Sequence, residues 1–335
     1  MAETVLYGER LYPDDRVERR IFGDGVEVIF ADAATLADIP EEMAARATGL
    51  MIFRQFVRAE DLARFPRLKA IVRMGVGYDR IDRKAAAARG VLVCNVPDYG
   101  TAEVADHAIA LMLALRRGVI LHHDLQRASP PAPWTYREHP LIRRLERLRL
   151  GLVGLGRIGT AVALRARAFG MRVIAYDPYQ PNGVERALGI ERARTLQDLL
   201  AESDTLSLHT PLTPETRGMI GAAELARLPE GALVINTARG PVLDIEALYE
   251  ALASGHVAGA GLDVLPVEPP PEPPPRLLTA YRERAPWLEG RLIITPHSAF
   301  HTPEAWEDIR VKSAETMRAA LLGPRPQNVI PPEAL

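Results

Sequence analysis

Leu150-Gly-Leu-Val-Gly154-Leu-Gly156-Arg-Ile-Gly159 is the stretch from which the rest of this chain is read. Its G-x-G-x-x-G spacing follows an apolar, strand-like run at 149–153. It opens a helical stretch at 157–169, which Gly170 can end. In that setting Gly154 permits a tight turn, Gly156 lets the backbone approach a pyrophosphate, and Gly159 allows close helix–strand packing. The amides at the helix start are free to bind phosphate. The next strand-like run, 172–177, ends in Asp177, about 20 residues on, where a carboxylate takes ribose hydroxyls. A carboxylate repels a 2′-phosphate, which favours NAD over NADP. The plain alternative is a glycine-rich turn that binds nothing. Strand, glycine spacing, helix and distal acid all argue against it together.

Working outward, strand-like and helix-like segments alternate along nearly the whole chain. Candidate strands are 26–31, 49–54, 68–74, 91–96, 149–154, 172–177, 205–210, 232–237, 258–265 and 291–295. Most are short, continuously apolar and rich in Val, Ile or Leu, as suits parallel strands covered on both faces. Segments 79–89, 157–169, 244–254 and 302–322 fit helices. Thr195 with Asp198 reads as a capping box. Thr213-Pro214 and Thr302-Pro303 place proline where a first helical turn tolerates it. The alternation predicts an α/β, doubly wound fold. The helix at 101–117 is apolar on more than one side, so it must be buried on several. Segment 118–148 reads as a connecting arm. His122 and His123 are adjacent and point apart on a helix, so no metal pair is expected there. The proline-rich stretch 266–275 reads as a stiff loop rather than a ligand for a proline-recognising module.

Composition bounds the function classes. The chain has 335 residues, which favours two domains. Hydrophobic residues at 47% and charged residues at 25% exclude a disordered or collagen-like chain. A net charge of −2 creates no global field asking for nucleic acid or membrane. Lysine stands only at 69, 84 and 312, so arginine makes up the rest of the 41 basic residues, scattered along the chain. Cys94 is the only cysteine, in the apolar run Val91-Leu-Val-Cys-Asn-Val96, and reads as a buried structural thiol. The longest purely apolar run, 108–115, is far short of a membrane span. No basic-then-apolar leader follows Met1, so the expected address is the cytoplasm.

Three later segments carry chemistry. Leu233-Val-Ile-Asn-Thr-Ala-Arg239-Gly240 is a strand ending in a cation. Ala258 to Glu268 is a strand ending in two acids, Asp263 and Glu268. Leu292-Ile-Ile-Thr-Pro-His297 is a strand ending in histidine. Ligands of open α/β sheets bind beyond the carboxyl ends of strands, so these groups can converge. Reduction of a 2-keto acid needs a hydride donor, a proton donor and a cation for the substrate. An imidazole titrates near neutrality, which suits His297 as proton donor. Glu268 can hydrogen-bond it, favouring its protonated form and fixing its orientation. Arg239 can bind carboxylate and keto oxygen. Singly, each residue has a plain reading: a salt bridge, a solvated acid, a cap or core histidine. Their shared placement after a dinucleotide motif favours the catalytic one. No metal site is expected.

At these residues the sequence resembles the D-isomer-specific 2-hydroxyacid dehydrogenase family. The markers are G-L-G-R-I-G at 154–159, N-T-A-R-G at 236–240, G-L-D-V at 261–264 with Glu268-Pro269, and T-P-H-S-A at 295–299. The likeness runs over 68–323. Within the family it is most similar to the C-terminal-binding-protein branch, through V-R-M-G-V-G-Y-D at 72–79, V-C-N-V-P-D at 93–98, A-L-R-A-R-A-F-G at 163–170, Y-D-P-Y at 176–179 and G-V-E-R-A-L-G at 183–189.

The resemblance implies two Rossmann-like or flavodoxin-like parallel-sheet domains with a cleft between them. Residues 1–100 plus 299–335 would form the substrate-binding domain. Residues 101–298 would form the NAD-binding domain, with a dimerisation helix and arm at 101–148. It implies a homodimer acting on a small 2-keto or 2-hydroxy acid. Arg239, Glu268 and His297 become the catalytic trio. Cofactor contacts fall on Leu155, Arg157 and Ile158 beside Gly154, Gly156 and Gly159, and on Asp177 for the ribose. Further contacts fall on Thr210, Pro211 and Thr216 at the adenine side, and on Thr237, Ala238 and Asp263 near the nicotinamide. Val76, Thr101, Arg239, His297 and Ala299 complete that set. Substrate contacts fall on Arg73, Val76, Gly77, Arg239 and Phe300. Phe300 stands where the branch has a tryptophan, and the proline-rich stretch is longer than in that branch. Residues 1–60 match poorly, and Phe53 and Arg54 are named there as pocket candidates. Two other readings stay open: an NAD-sensing dimeric scaffold, and a phosphoglycerate-type dehydrogenase without a regulatory domain after 323.

Overall fold

The computed structural model describes residues 3–332. Residues 1, 2 and 333–335, expected in the substrate-binding domain, lie outside the described residues. The chain divides into two compact units, Met1–Gly100 with His301–Leu335, and Thr101–Phe300. The second changeover therefore falls two residues after the 298/299 boundary read from the sequence, because Ala299 stays bonded to Asp263 of the second unit.

The first unit is built on five parallel strands: β1 (Glu3–Tyr7), β2 (Val26–Phe30), β3 (Gly49–Ile52), β4 (Ala70–Arg73) and β5 (Leu92–Cys94). Their order is β2-β1-β3-β4-β5, the flavodoxin-like arrangement. Leu6, Leu50, Ile52, Ile71 and Phe65 are fully buried, as their continuous apolar runs require. Cys94 is buried too, and burial pushes its thiol up to about 11. The helix Pro303–Leu322 starts where Thr302 Oγ1 accepts the Ala305 amide at 3.0 Å, with Pro303 in its first turn. The Arg310 guanidinium on that helix meets the buried Glu18 carboxylate at 2.7 and 2.8 Å. The two ends of the chain are thereby tied together. Removing one partner of such a buried pair costs about 3–5 kcal/mol.

The second unit carries seven parallel strands: β6 (Arg149–Val153), β7 (Arg172–Tyr176), β8 (Glu191–Arg192), β9 (Thr205–Leu208), β10 (Ala232–Asn236), β11 (Val257–Leu262) and β12 (Leu292–Ile294). Their order is β12-β11-β10-β9-β6-β7-β8. Counted from β6, this is the dinucleotide-fold order with one strand added, and it reverses direction between β6 and β9. The expected doubly wound, parallel architecture is what is found. Strands β1 and β8 escape the sequence reading, β8 because it has only two residues.

The helix Thr101–Arg116 packs on β10, β11 and the helix Arg157–Ala168. Its last residue, Arg116, is fully buried and donates to Thr205 Oγ1 and to the carbonyls of Asp204 and Gly231. Burial lowers its pKa to about 10, so the charge persists at neutral pH. Beyond it, part of the expected arm is the helix Val119–Arg127. Among the described residues no helix is long and apolar enough to cross a membrane.

Candidate active site

Parallel register places the candidate residues in rows. Val153 of β6 pairs with Tyr176 of β7 and Leu208 of β9. Gly154, Asp177 and His209 therefore leave the sheet side by side. Gly154 adopts φ +94, and a Cβ there would lie 2.7 Å from the His209 carbonyl oxygen. A Cβ on Gly159 would lie 2.2 Å from the Gly154 carbonyl oxygen. Gly156 differs from both: its φ is −74, and a Cβ would meet nothing within 4 Å. The protein's own packing does not require glycine at 156.

Asp177 closes this corner. Its carboxylate accepts the Leu155 amide at 2.8 Å and the Tyr179 amide at 3.0 Å. The Leu155 amide thus binds Asp177. The first-turn amides of Gly156, Arg157 and Ile158 have no intrahelical acceptor and remain for a phosphate. The neighbouring loop is braced by Thr216, which donates to the Pro211 carbonyl at 2.7 Å and accepts the Thr213 amide at 2.9 Å. His209 bonds Ser207 Oγ at 2.9 Å, and burial lowers its pKa to about 4. The sequence reading passed over this neutral histidine, although Leu208-His209 follows a strand at the switch point.

The second row lies on β10, β11 and β12, where Asn236, Leu262 and Ile294 are in register. Arg239 and His297 each stand three residues past that row. The turn at 236–239 is set by Asn236, whose side chain takes the Ala238 amide and donates to the Arg239 carbonyl, each at 3.0 Å. Glu268 Oε1 accepts the Leu265 amide at 2.9 Å, and Oε2 meets His297 Nδ1 at 2.6 Å. Burial alone would raise the Glu268 pKa. The bond from His297, the imidazole charge, the Leu265 amide and Arg239 outweigh burial and hold it below the ordinary carboxylate range. An ionised carboxylate only accepts, so Nδ1 carries the proton and Nε2 faces away.

His297 has φ +53, a left-handed conformation that costs a non-glycine residue about 1–2 kcal/mol. Asp263 holds it there. Its carbonyl accepts the His297 amide at 2.7 Å, and its carboxylate accepts the Ser298 and Ala299 amides at 2.9 and 3.0 Å. The resemblance implies a nicotinamide contact at Asp263; the structure gives it these partners in its own chain. Phe300 stands edge-on to His297, with ring centroids 6.4 Å apart. Thr101 opens the helix Thr101–Arg116.

The donor set fits a dinucleotide. The Thr210 and Thr237 hydroxyls, at the ends of β9 and β10, are buried without a hydrogen-bond partner among the described residues. With the open space at Gly156, they are the features a bound cofactor would satisfy.

Residues 109–299 match the D-isomer specific 2-hydroxyacid dehydrogenase, NAD binding domain, family. The chain belongs to the D-isomer-specific 2-hydroxyacid dehydrogenases. D-3-phosphoglycerate dehydrogenase of Mycobacterium bovis is 39% identical over 331 residues, 96% of this chain and 57% of that protein. The chain thus spans little more than half the length of the curated relatives it matches. D-lactate dehydrogenase from Aquifex aeolicus, solved with NAD and lactic acid, superposes with a TM-score of 0.81 at 31% identity. That likeness covers 95% of this chain and 96% of the other. A glyoxylate reductase from Paecilomyes thermophila gives a TM-score of 0.85 at 28% identity, covering 98% of each chain.

The remaining candidates lie in the first unit. Arg73 ends β4, with its guanidinium 5.4 Å from the Phe53 ring centroid. The loop carrying Val76 and Gly77 is held by Asn95, whose amide donates to the Val76 carbonyl at 2.7 Å. Glu9 accepts the Phe53 and Arg54 amides at 2.5 and 2.9 Å, and Trp306 packs edge-on to Phe53 at 5.3 Å. The sequence reading named neither Glu9 nor Trp306. Glu9 follows β1, a strand absent from the sequence reading, and Trp306 lies in the helix Pro303–Leu322, so neither carried a signal there.

Proposed function

We propose that the protein is an NAD-dependent 2-keto acid reductase forming a D-2-hydroxy acid, with His297 as the proton donor. The observation that carries this reading is the 2.6 Å pair of Glu268 and His297 Nδ1, in one row with Arg239. NADH, when bound, supplies the hydride. Arg239 binds the substrate carboxylate and keto oxygen with its fork of N–H donors. His297 gives the Nε2 proton to the forming alkoxide, and Glu268 holds the ring and stabilises its charge. Arg73, Val76 and Gly77 are assigned to the substrate carboxylate, and Phe300 to the substrate side chain. The test is consumption of NADH with pyruvate, glyoxylate or 3-phosphohydroxypyruvate, the keto partners of the relatives' substrates. Turnover of none, with tight NADH binding, would favour the scaffold reading.

Two substitutions test the cofactor corner. Gly156→Val should leave Tm nearly unchanged, since nothing in the protein crowds that position. It should weaken NADH binding by about tenfold or more, about 1.4 kcal/mol. Asp177→Ala removes a charged acceptor, so NADH affinity should fall by about ten- to a hundredfold, with NADPH discriminated against less. Calorimetric titration with both cofactors reads each outcome. Unchanged affinities would remove these residues from the site.

We also propose a homodimer built on the helix Thr101–Arg116 and the arm at 118–148. Trp134 in that arm is 92% exposed and Tyr136 76%, large apolar surface that a second copy would cover. Light scattering should give twice the chain mass; a single-chain mass would reject the dimer.

A further inference from the structure

The polar chain that reaches the His297 loop does not end at Asp263. Thr295 Oγ1 lies 2.6 Å from Asp263 Oδ1, and His107 Nε2 lies 3.0 Å from Thr295 Oγ1. His107 projects from the helix Thr101–Arg116, and its Nε2 is also 3.8 Å from Asp263 Oδ1. The direction of these bonds follows from chemistry. A hydroxyl has one proton, and the Asp263 carboxylate can only accept it. Thr295 must therefore receive its second bond from His107, so Nε2 of His107 is the donor. The Asp263 carboxylate then holds the Ser298 and Ala299 amides, while its carbonyl holds the amide of His297 itself.

Three successive amides of the loop converge on one residue, and that residue is oriented by a threonine and a histidine. We infer that His107, acting through Thr295 and Asp263, is a positioning residue that keeps His297 in its left-handed, reactive conformation. The inference rests on the assignment of His297 as the proton donor. His297 stands at φ +53, and its amide is held by the Asp263 carbonyl at 2.7 Å and by the Thr295 carbonyl at 3.0 Å, the two residues through which His107 acts. A carboxylate free to rotate would release the Ser298 and Ala299 amides. An imidazole displaced by about 1 Å can lose about a hundredfold in rate.

The experiment compares His107→Leu, His107→Gln, Thr295→Val and the double variant His107→Leu/Thr295→Val in the full chain. Turnover is followed with the keto acid that the screen returns. Gln places an amide N–H near the position of Nε2 and does not titrate. The expected result for His107→Leu and Thr295→Val is a kcat lowered by about tenfold, with KM for NADH and Tm nearly unchanged. His107→Gln should restore kcat to within about twofold, with the wild-type pH profile. The double variant should be no slower than Thr295→Val, because both act through one chain of bonds. Equal kcat for wild type and His107→Leu would overturn the proposal, and so would failure of Gln to rescue or additive losses in the double variant. His297→Gln, run beside them, separates the two levels. Lost turnover there with full turnover in His107→Leu rejects only the positioning role; full turnover in His297→Gln rejects the underlying assignment. Imidazole ¹⁵N shifts in the NADH complex give a readout independent of turnover. The His297 signals should move in His107→Leu and return in His107→Gln, and unmoved signals would overturn the proposal.

Discussion

Replacing His297 with glutamine is expected to lower turnover by about 100- to 10,000-fold, the usual contribution of a positioned acid or base. Glutamine keeps a polar group of similar reach but cannot cycle a proton. NADH binding should survive, because the phosphate-binding corner follows β6, four strands away from β12 in the sheet order. At about 4.8 Å per strand that is roughly 19 Å. The measurement is steady-state turnover alongside NADH titration by fluorescence; wild-type kcat in the variant would sink the assignment. Glu268 sets how the pair responds to pH. A carboxylate held below its ordinary range contributes stability above its unfolded pKa, and that stability is lost as pH falls through the folded one. From the Glu268 side, therefore, acid rather than base breaks the pair.

Arg239→Ala is expected to raise KM for the keto acid and to lower kcat as well, with kcat/KM falling roughly a hundredfold or more. Truncating one partner of a desolvated charge pair costs about 2–5 kcal/mol. The effect is split because, in the proposed role, Arg239 would bind both the substrate carboxylate and the oxygen on which charge develops. It also contributes to holding Glu268 ionised. Arg239→Lys keeps the charge but loses the planar fork, and should recover only part of the loss. The two variants with unchanged kinetics would reject the role. The arginine owes its place to its neighbour: a Cβ on Gly240 would come 2.0 Å from the Leu265 carbonyl. That close approach brings the turn after β10 against the segment leading to Glu268, so bulk at 240 would disturb two of the three candidate groups together.

How much of this was legible beforehand depends on the range of the interactions. The glycine corner was readable because its requirements are local: a positive φ at 154, helix packing at 159, and a carboxylate one strand on. The alternation of apolar strands with amphipathic helices declared the parallel sheets, since a buried strand must be apolar on both faces. Arg239, Glu268 and His297 were readable as groups at strand ends. His107 and Thr295 were not, because each is an ordinary polar residue until a partner far along the chain gives it a role. Asn236 and His209 bond within three residues, but single polar residues at strand ends carry no pattern that marks them. Thr295 and His107 are separated by 188 residues. Likewise Glu18 and Arg310 are separated by 292 and carry no local pattern that pairs them. The sequence alone determined the fold class and the dinucleotide corner, and it placed the candidate reacting groups at strand ends, because short-range backbone geometry and hydrophobic burial dictate those. Tertiary structure alone decided that Glu268 meets Nδ1 of His297, that Asp263 binds its own chain, and that His107 reaches the same loop. Those are directional contacts a few ångströms long, and only the strand order and register bring their partners within reach.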